Sequence, residues 1–482
     1  MKKLIALVLA LVLSFTLFVP AFAADETTET VKYDGDPIVV VRGIDFAGLV
    51  KADGSSAISI DAFDVLGLIF NIGAHKVTGN KAAGAHAIAS FGKDLFADLM
   101  VDQEGNSLSD VSIPKYYDCG ADLDLSDDSK WADTAVGLFR SLTRKYGGEN
   151  VYLYTFDWRM SPSALADDLN AYFEMVKAKT GATKLDVAAC SMGGMVTTAY
   201  IDKYGCDIFD SLVFLSPALN GVDVVGSAFT GDLTISGQDL TEFLIKKVGG
   251  NFFVDAIIKI LDFIGIIDGI SGFVNEILAD YGDIIYDEFL CEVFRTTYGL
   301  WGMVPDEYYD DAVKFFFGGV EDEYAVALKK IAEIKEFVFS TEEIIDEVAK
   351  SDVKLSFVSH YNNKQLPIYS KAYLHGDGVI ESARTSFGAE FANYGEALTD
   401  EQIAGAAAEF ISPDKVVNAS KARYAESTWI INGAKHVGCK DGSDHTEFAI
   451  WLLAQEDQPT VTTNAAYPRF IKCDANENFI AF

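Results

Sequence analysis

The sequence predicts an α/β architecture, a mainly parallel sheet covered by helices and carrying a helical insertion, from three observations. Apolar runs of strand length alternate with helix-length segments between about 151 and 217. A purely helical pattern then occupies about 221 to 350. Strand signal returns at Val353–Val358 and Ser427–Asn432. Strands separated by helices pair in parallel, because each crossover returns the chain to the same end of the sheet.

The elements follow in order. Pro37-Ile-Val-Val-Val-Arg-Gly43 is a β-branched run ending in glycine, which suits a buried strand and a tight loop. The stretch from about 51 to 130 reads as less regular. Trp131 to Tyr146 has helical spacing, Val151 to Phe156 reads as a strand, and Ala164 to Thr180 as a helix. Strand Leu185–Ala189, a helix from Met192 to Tyr204 and strand Asp210–Pro217 come next. The segment from 221 to 350 is rich in Phe, Ile and Tyr with interspersed acids. Thr446 to Gln455 reads as a closing amphipathic helix. No internal repeat interrupts this order.

Between the Leu185 strand and the Met192 helix stands Ala189-Cys190-Ser191-Met192-Gly193, a variant of G-x-S-x-G with alanine at the first glycine. A serine on a sharp strand-to-helix turn exposes its oxygen and lies beside the positive end of the helix. Five such residues arise by chance in roughly one chain in three of this length, so the strand before and helix after carry the weight.

The N-terminus reads as a secretory leader: Lys2-Lys3, an apolar run Leu4–Leu13, and Ala21-Phe22-Ala23 ahead of Asp25-Glu26. Cleavage is expected before Ala24, giving a secreted, extracellular protein. The Phe252–Leu278 stretch is interrupted by Asp255, Lys259, Asp262, Asp268 and Glu276, so no transmembrane segment is expected in the mature chain. Removing the two leader lysines from 38 basic residues leaves 36 against 72 acidic ones, a net charge of −36. Such acidity argues against nucleic acid as a partner and against anionic lipid surfaces, but not against neutral lipids or soluble esters. The six cysteines allow fifteen pairings and show no zinc-type spacing, so no metal is expected; Cys190 reads as a small buried residue.

A serine nucleophile needs a base, an acid that orients the base, and donors for the oxyanion. Hydrolases with this elbow, the α/β-hydrolases, place them in the chain order Ser, Asp or Glu, His. Of the histidines after Ser191, His436 falls on the loop leaving the last strand of the core and is the expected base. His445, nearer the helix start, is the runner-up, with capping or surface exposure as its expected role. His360 and His375 violate the order. Gly376-Asp377-Gly378 sets one carboxylate between two glycines and makes Asp377 the expected acid. The oxyanion donors are expected to be the N–H groups of Met192, next after the nucleophile, and Ile44, after Gly43.

Phe156-Asp157-Trp158-Arg159-Met160-Ser161-Pro162, about 30 residues before the elbow, resembles the lecithin:cholesterol acyltransferase-like group of α/β-hydrolases, which carries Tyr-Asp-Trp-Arg there and a His-Ser-Met-Gly-Gly elbow. Gly376-Asp377-Gly378-Val379 is similar to the family's Gly-Asp-Gly-Thr-Val turn bearing the acid. Arg295–Pro305 is weakly similar to a stretch at the end of its cap. The family's proline before the oxyanion glycine is Arg42 here, its elbow histidine is Cys190, and its first elbow glycine is Ala189.

The expected organisation is a leader (1–23), an α/β-hydrolase core in two parts (24–220 and 351–482) and a helical cap inserted between them (221–350). The expected function is a serine hydrolase cleaving carboxylic esters, with a lipid or other ester as its partner and without a cofactor. Acyl transfer by the same three residues and a non-catalytic binding protein stand as alternatives. Asp157, Trp158 and Arg159 are read either as a brace near the site or as core packing with a buried ion pair.

Overall fold

The computed structural model describes residues 33–45, 48–58, 62–125, 134–233, 266–366 and 369–482. The expected leader therefore lies outside the described residues, as does 234–265 of the insertion.

Eight strands form one sheet: β1 (Ile38–Val41), β2 (Val151–Tyr154), β3 (Leu185–Cys190), β4 (Phe209–Leu215), β5 (Lys354–Tyr361), β6 (Thr428–Asn432), β7 (Phe470–Cys473) and β8 (Phe479–Ile480). Their order is β8-β7-β6-β5-β4-β3-β1-β2, parallel throughout except for the last pair, β7 with β8. This is the predicted α/β-hydrolase sheet. The closing helix, Asp444–Leu453, is followed by β7 and β8, so β6 is not the last strand as the sequence reading had it. The alternating partial burial of Phe470–Cys473 and the two-residue length of β8 leave no apolar run to read.

Both faces of the sheet are buried, which is why β1 is four consecutive β-branched residues. Val39 and Val41 enter one core, Ile38 and Val40 the other. On the first face lie the helices Pro162–Thr180 and Met192–Tyr204, together with the described helices of the insertion. On the second lie Thr134–Tyr146 and the closing helix. The Pro162 helix shows how locally these elements are specified. Ser161 accepts from the Ala164 N–H, Pro162 opens the first turn, and Gly181 closes it at φ 75°.

The stretch read as less regular contains two long helices, Ala62–Thr78 and Lys81–Phe96. The second carries Gly84 and Gly92, residues that weaken an isolated helix. Here they let other helices approach: a Cβ on Gly84 would stand 2.7 Å from Ile277 Cδ1, and one on Gly92 2.6 Å from Phe289 Cε1. Tertiary packing thus overrides propensity.

The described part of the insertion is helical: Asp223–Thr230, Ile266–Ile285, Tyr309–Phe317 and Ala325–Lys350, with a π-helix at Tyr286–Leu290 and short helices at Cys291–Phe294 and Tyr298–Trp301. Phe229, Trp301 and Phe316 meet with ring centroids 4.6 to 5.5 Å apart. Each such buried aromatic contributes about 1.5–3 kcal/mol of hydrophobic stabilisation. None of the described helices is long and apolar enough to cross a membrane.

Candidate active site

The parallel register aligns the carboxyl ends of the central strands. Val41 pairs with Ala189, Cys190 with Leu215, Leu215 with Val358, and Tyr361 with Asn432. The loops that leave these ends carry Gly43, Ser191, Ser216, Asn363 and His436, and such a row of loops is where open α/β sheets bind ligands.

Ser191 takes φ 53° and ψ −125° between β3 and its helix. A non-glycine residue there costs roughly 1–3 kcal/mol and persists only where neighbours over-determine it. Three backbone bonds do so: Ser191 N–H donates to Leu215 O at 3.0 Å, and Ser191 O accepts from Gly194 (2.9 Å) and Ala218 (3.0 Å). Close approach explains the flanking glycines. A Cβ on Gly193 would lie 2.6 Å from the carbonyl oxygens of Val41 and Arg42, and one on Gly43 2.8 Å from Ser191 Cβ. Ala189 and Cys190 are fully buried.

Ser191, Asp377 and His436 come together. His436 Nε2 lies 2.8 Å from Ser191 Oγ, and His436 Nδ1 lies 2.7 Å from Asp377 Oδ2. Asp377 Oδ1 accepts from the N–H groups of Val379 (2.9 Å) and Ile380 (2.8 Å), so one carboxylate oxygen is anchored and the other faces the imidazole. Gly378, at φ 100°, makes that turn feasible. A carboxylate only accepts, so Nδ1 of His436 carries the proton and Nε2 is free to accept from the serine hydroxyl.

Asn363 joins the two loops. Its N–H donates to Gly376 O at 3.1 Å and its Nδ2 to Ala434 O at 2.6 Å. No motif marks it in the sequence; its role exists only because the Asp377 turn and the His436 loop are neighbours in space. Met192 opens the elbow helix, so its N–H has no acceptor one turn back within the helix. Ile44 is half-buried beside Gly43, on the loop that presses against the serine.

His445 does not reach the serine, and its expected role as a cap or exposed residue is corrected as well. Ser443 caps the closing helix by accepting from Thr446, and His445 is completely buried. His360 is equally buried, and burial, reinforced by the nearby His445 and His436, pushes it well below the usual histidine range. His375 is buried against the rings of Tyr361, Phe391 and Tyr394.

Buried Arg159 and half-buried Asp157 form an ion pair that is also a brace. Arg159 bonds both oxygens of Asp157 (2.9 and 2.6 Å), Ser107 Oγ (3.0 Å) and the carbonyls of Leu99 and Val111 (3.4 Å each). Arg295–Pro305 folds directly over this region. Gly299 N–H donates to Arg159 O, and a Cβ on Gly299 would meet Trp158 O and, at 2.9 Å, Met192 Cε. The insertion is therefore seated on the elbow, and Ser191 is only 6% exposed. Among the described residues no group of three or more His, Cys, Asp or Glu is arranged to hold a metal ion.

Sheet order, elbow and the sequence Ser191, Asp377, His436 define an α/β-hydrolase fold. A family model described as serine aminopeptidase, S33, matches residues 158–241, from the Trp158 brace through the elbow into the insertion. Among solved structures, a mutant of the N-acyl homoserine lactonase AidH complexed with N-hexanoyl homoserine is similar at 13% identity, with 65% of this chain and 82% of that chain covered and a TM-score of 0.24. Among curated proteins, none matches the chain.

Proposed function

We propose that the protein is an exported serine hydrolase of carboxylic esters, with lipid esters as its substrate class, and that it is related to the lecithin:cholesterol acyltransferase-like group. The observation that carries this reading is the unbroken line from Asp377 Oδ2 through His436 to Ser191 Oγ, at 2.7 and 2.8 Å. His436 Nε2 takes the serine proton as Oγ attacks the ester carbonyl carbon. The carbonyl electron pair moves to oxygen, where the N–H groups of Met192 and Ile44 receive it. His436 returns the proton to the departing alcohol, leaving an acyl-serine. Water, deprotonated by the same imidazole, then attacks and releases the acid; an alcohol in its place gives acyl transfer.

The apolar insertion seated on Met192 supports an acyl-binding cap, because long apolar substrates need an apolar concave surface. Release of an N-terminal amino acid from peptides is the second reading, favoured by the description of the matching family model.

The test is a fluorophosphonate probe with the adduct located by mass spectrometry, followed by turnover of p-nitrophenyl esters of increasing chain length and of aminoacyl p-nitroanilides. Modification of Ser191 with preference for esters is expected. An unmodified Ser191 in folded protein overturns the enzyme reading in favour of a binding protein. Turnover confined to the anilides replaces the esterase reading with the peptidase one.

A further inference from the structure

The chain leaves His436 through three successive residues with positive φ: Val437 at 61°, Gly438 at 62° and Cys439 at 60°. Glycine accepts this conformation, whereas valine and cysteine resist it, valine most, because its branched Cβ crowds the backbone. Side chains from three other segments hold the turn. Val437 N–H donates to Ser216 Oγ at 3.2 Å, Cys439 N–H to His445 Nδ1 at 3.0 Å, and Lys440 N–H to Glu477 Oε2 at 2.8 Å. Gly438 packs on the imidazole of His445 so tightly that a Cβ would collide with Cε1 and Nδ1.

His360 cross-links two of these acceptors. Its Nδ1 lies 2.9 Å from Ser216 Oγ and its Nε2 3.2 Å from His445 Nε2, the two rings meeting edge to face at 82°. Ser216, His360 and His445 are each fully buried. The donors fix the protons. Cys439 N–H points at His445 Nδ1, so that nitrogen accepts, and the ring proton sits on Nε2, which donates to His360 Nε2. His360 then holds its proton on Nδ1 and donates to Ser216 Oγ. Glu477 Oε2 stands 3.7 Å from His445 Nδ1, a longer approach than the 3.0 Å of the Cys439 N–H, and its own hydrogen bond is the one it accepts from Lys440 N–H.

We propose that Ser216, His360 and His445 are positioning residues that hold the left-handed turn behind His436 and so keep its Nε2 on the oxygen of Ser191. None of them touches the reacting atoms. The catalytic consequence rests on the serine-hydrolase reading above, while the geometry of the scaffold does not.

Two measurements test it. In wild-type protein with ¹⁵N-labelled histidine, long-range ¹H–¹⁵N NMR resolves the tautomers of only six histidines. A neutral His445 protonated on Nε2 and a neutral His360 protonated on Nδ1 are expected; a His445 protonated on Nδ1 overturns the scaffold whether or not the protein is an enzyme. For turnover of a short-chain nitrophenyl ester, His445→Leu, which removes both ring nitrogens, should lower kcat by roughly 10–100-fold with KM within about twofold, the scale set by small misplacements of a reacting group. His445→Asn keeps an acceptor for Cys439 N–H and should lose less. Ser216→Ala, a smaller disturbance that leaves both imidazoles in place, should also lower kcat.

Phe448→Leu, in the same helix and equally buried, is the control: it should lower the melting temperature and leave kcat unchanged. An equal kcat loss in Phe448→Leu, or full kcat in both His445→Leu and Ser216→Ala, overturns the proposal. A wild-type Ser191 that ignores the fluorophosphonate overturns the esterase reading alone, and the tautomers still decide the scaffold.

Discussion

His436 Nε2 stands 2.8 Å from Ser191 Oγ although 245 residues separate the two in the chain. The contact is set by two loops leaving aligned strand ends, and Asp377 completes it from a third. Asp377→Asn exchanges an acceptor-only carboxylate for a side chain whose amide can also face Nδ1, which stabilises the wrong tautomer of His436. Ester turnover should fall by about 10³–10⁴ in kcat with the fold intact, measured by initial rates and circular dichroism.

The approach of Gly43 to the serine makes a second prediction. Its missing side chain leaves room for Ser191, whose Cβ a methyl group would meet at 2.8 Å. Gly43→Ala must shift either the serine or the loop bearing the Ile44 N–H. Reaction of Ser191 with a fluorophosphonate should slow by at least about 100-fold, the order lost with one oxyanion donor, while the melting temperature changes little.

Breaking the Asp157–Arg159 pair tests the brace. Arg159 is 1% exposed, so Asp157→Ala strands a buried guanidinium. A loss of about 3–5 kcal/mol in unfolding free energy is expected from urea titration. Replacing an exposed pair such as Lys350–Glu347 should cost well under 1 kcal/mol.

Asp186 predicts a pH dependence of stability. It lies buried in β3, where Tyr33 donates to Oδ2 at 3.1 Å and Oδ1 has no hydrogen-bond partner. Burial, then the charge of Asp210, pushes its carboxyl up to about 8 from an ordinary 3.8. The folded state therefore binds this proton more tightly than the unfolded chain. The stabilisation is full below about 3.8 and is lost as pH rises through about 8. Asp186→Asn should remove this slope and gain on the order of 1–3 kcal/mol over wild type at pH 8.5, with little advantage at pH 4. Urea midpoints at the two pH values check it.

How much of this was legible depends on how local each signal is. The elbow is contiguous, and Asp377 sits in a glycine turn, so both could be read from neighbours in the chain. The helices within 62–96 could not, because Gly84 and Gly92 read as breakers until Ile277 and Phe289 are seen to fill the space beside them. β7 and β8 are too short to show a pattern. Asn363, Ser216 and His360 carry no motif; each matters only through a partner distant in sequence.

The sequence by itself determined the alternation of strands and helices, the serine turn, and the order in which an acid and a base must follow, since these depend on period and backbone preference along a few residues. Only the tertiary structure decided between His436 and His445, which stand nine positions apart in one segment. The left-handed turn at Val437–Cys439 directs the first imidazole to the serine and packs against the second behind it. Such a turn is disfavoured by its own residues and forms because buried acceptors from other elements take up its N–H groups, a balance that no local pattern encodes.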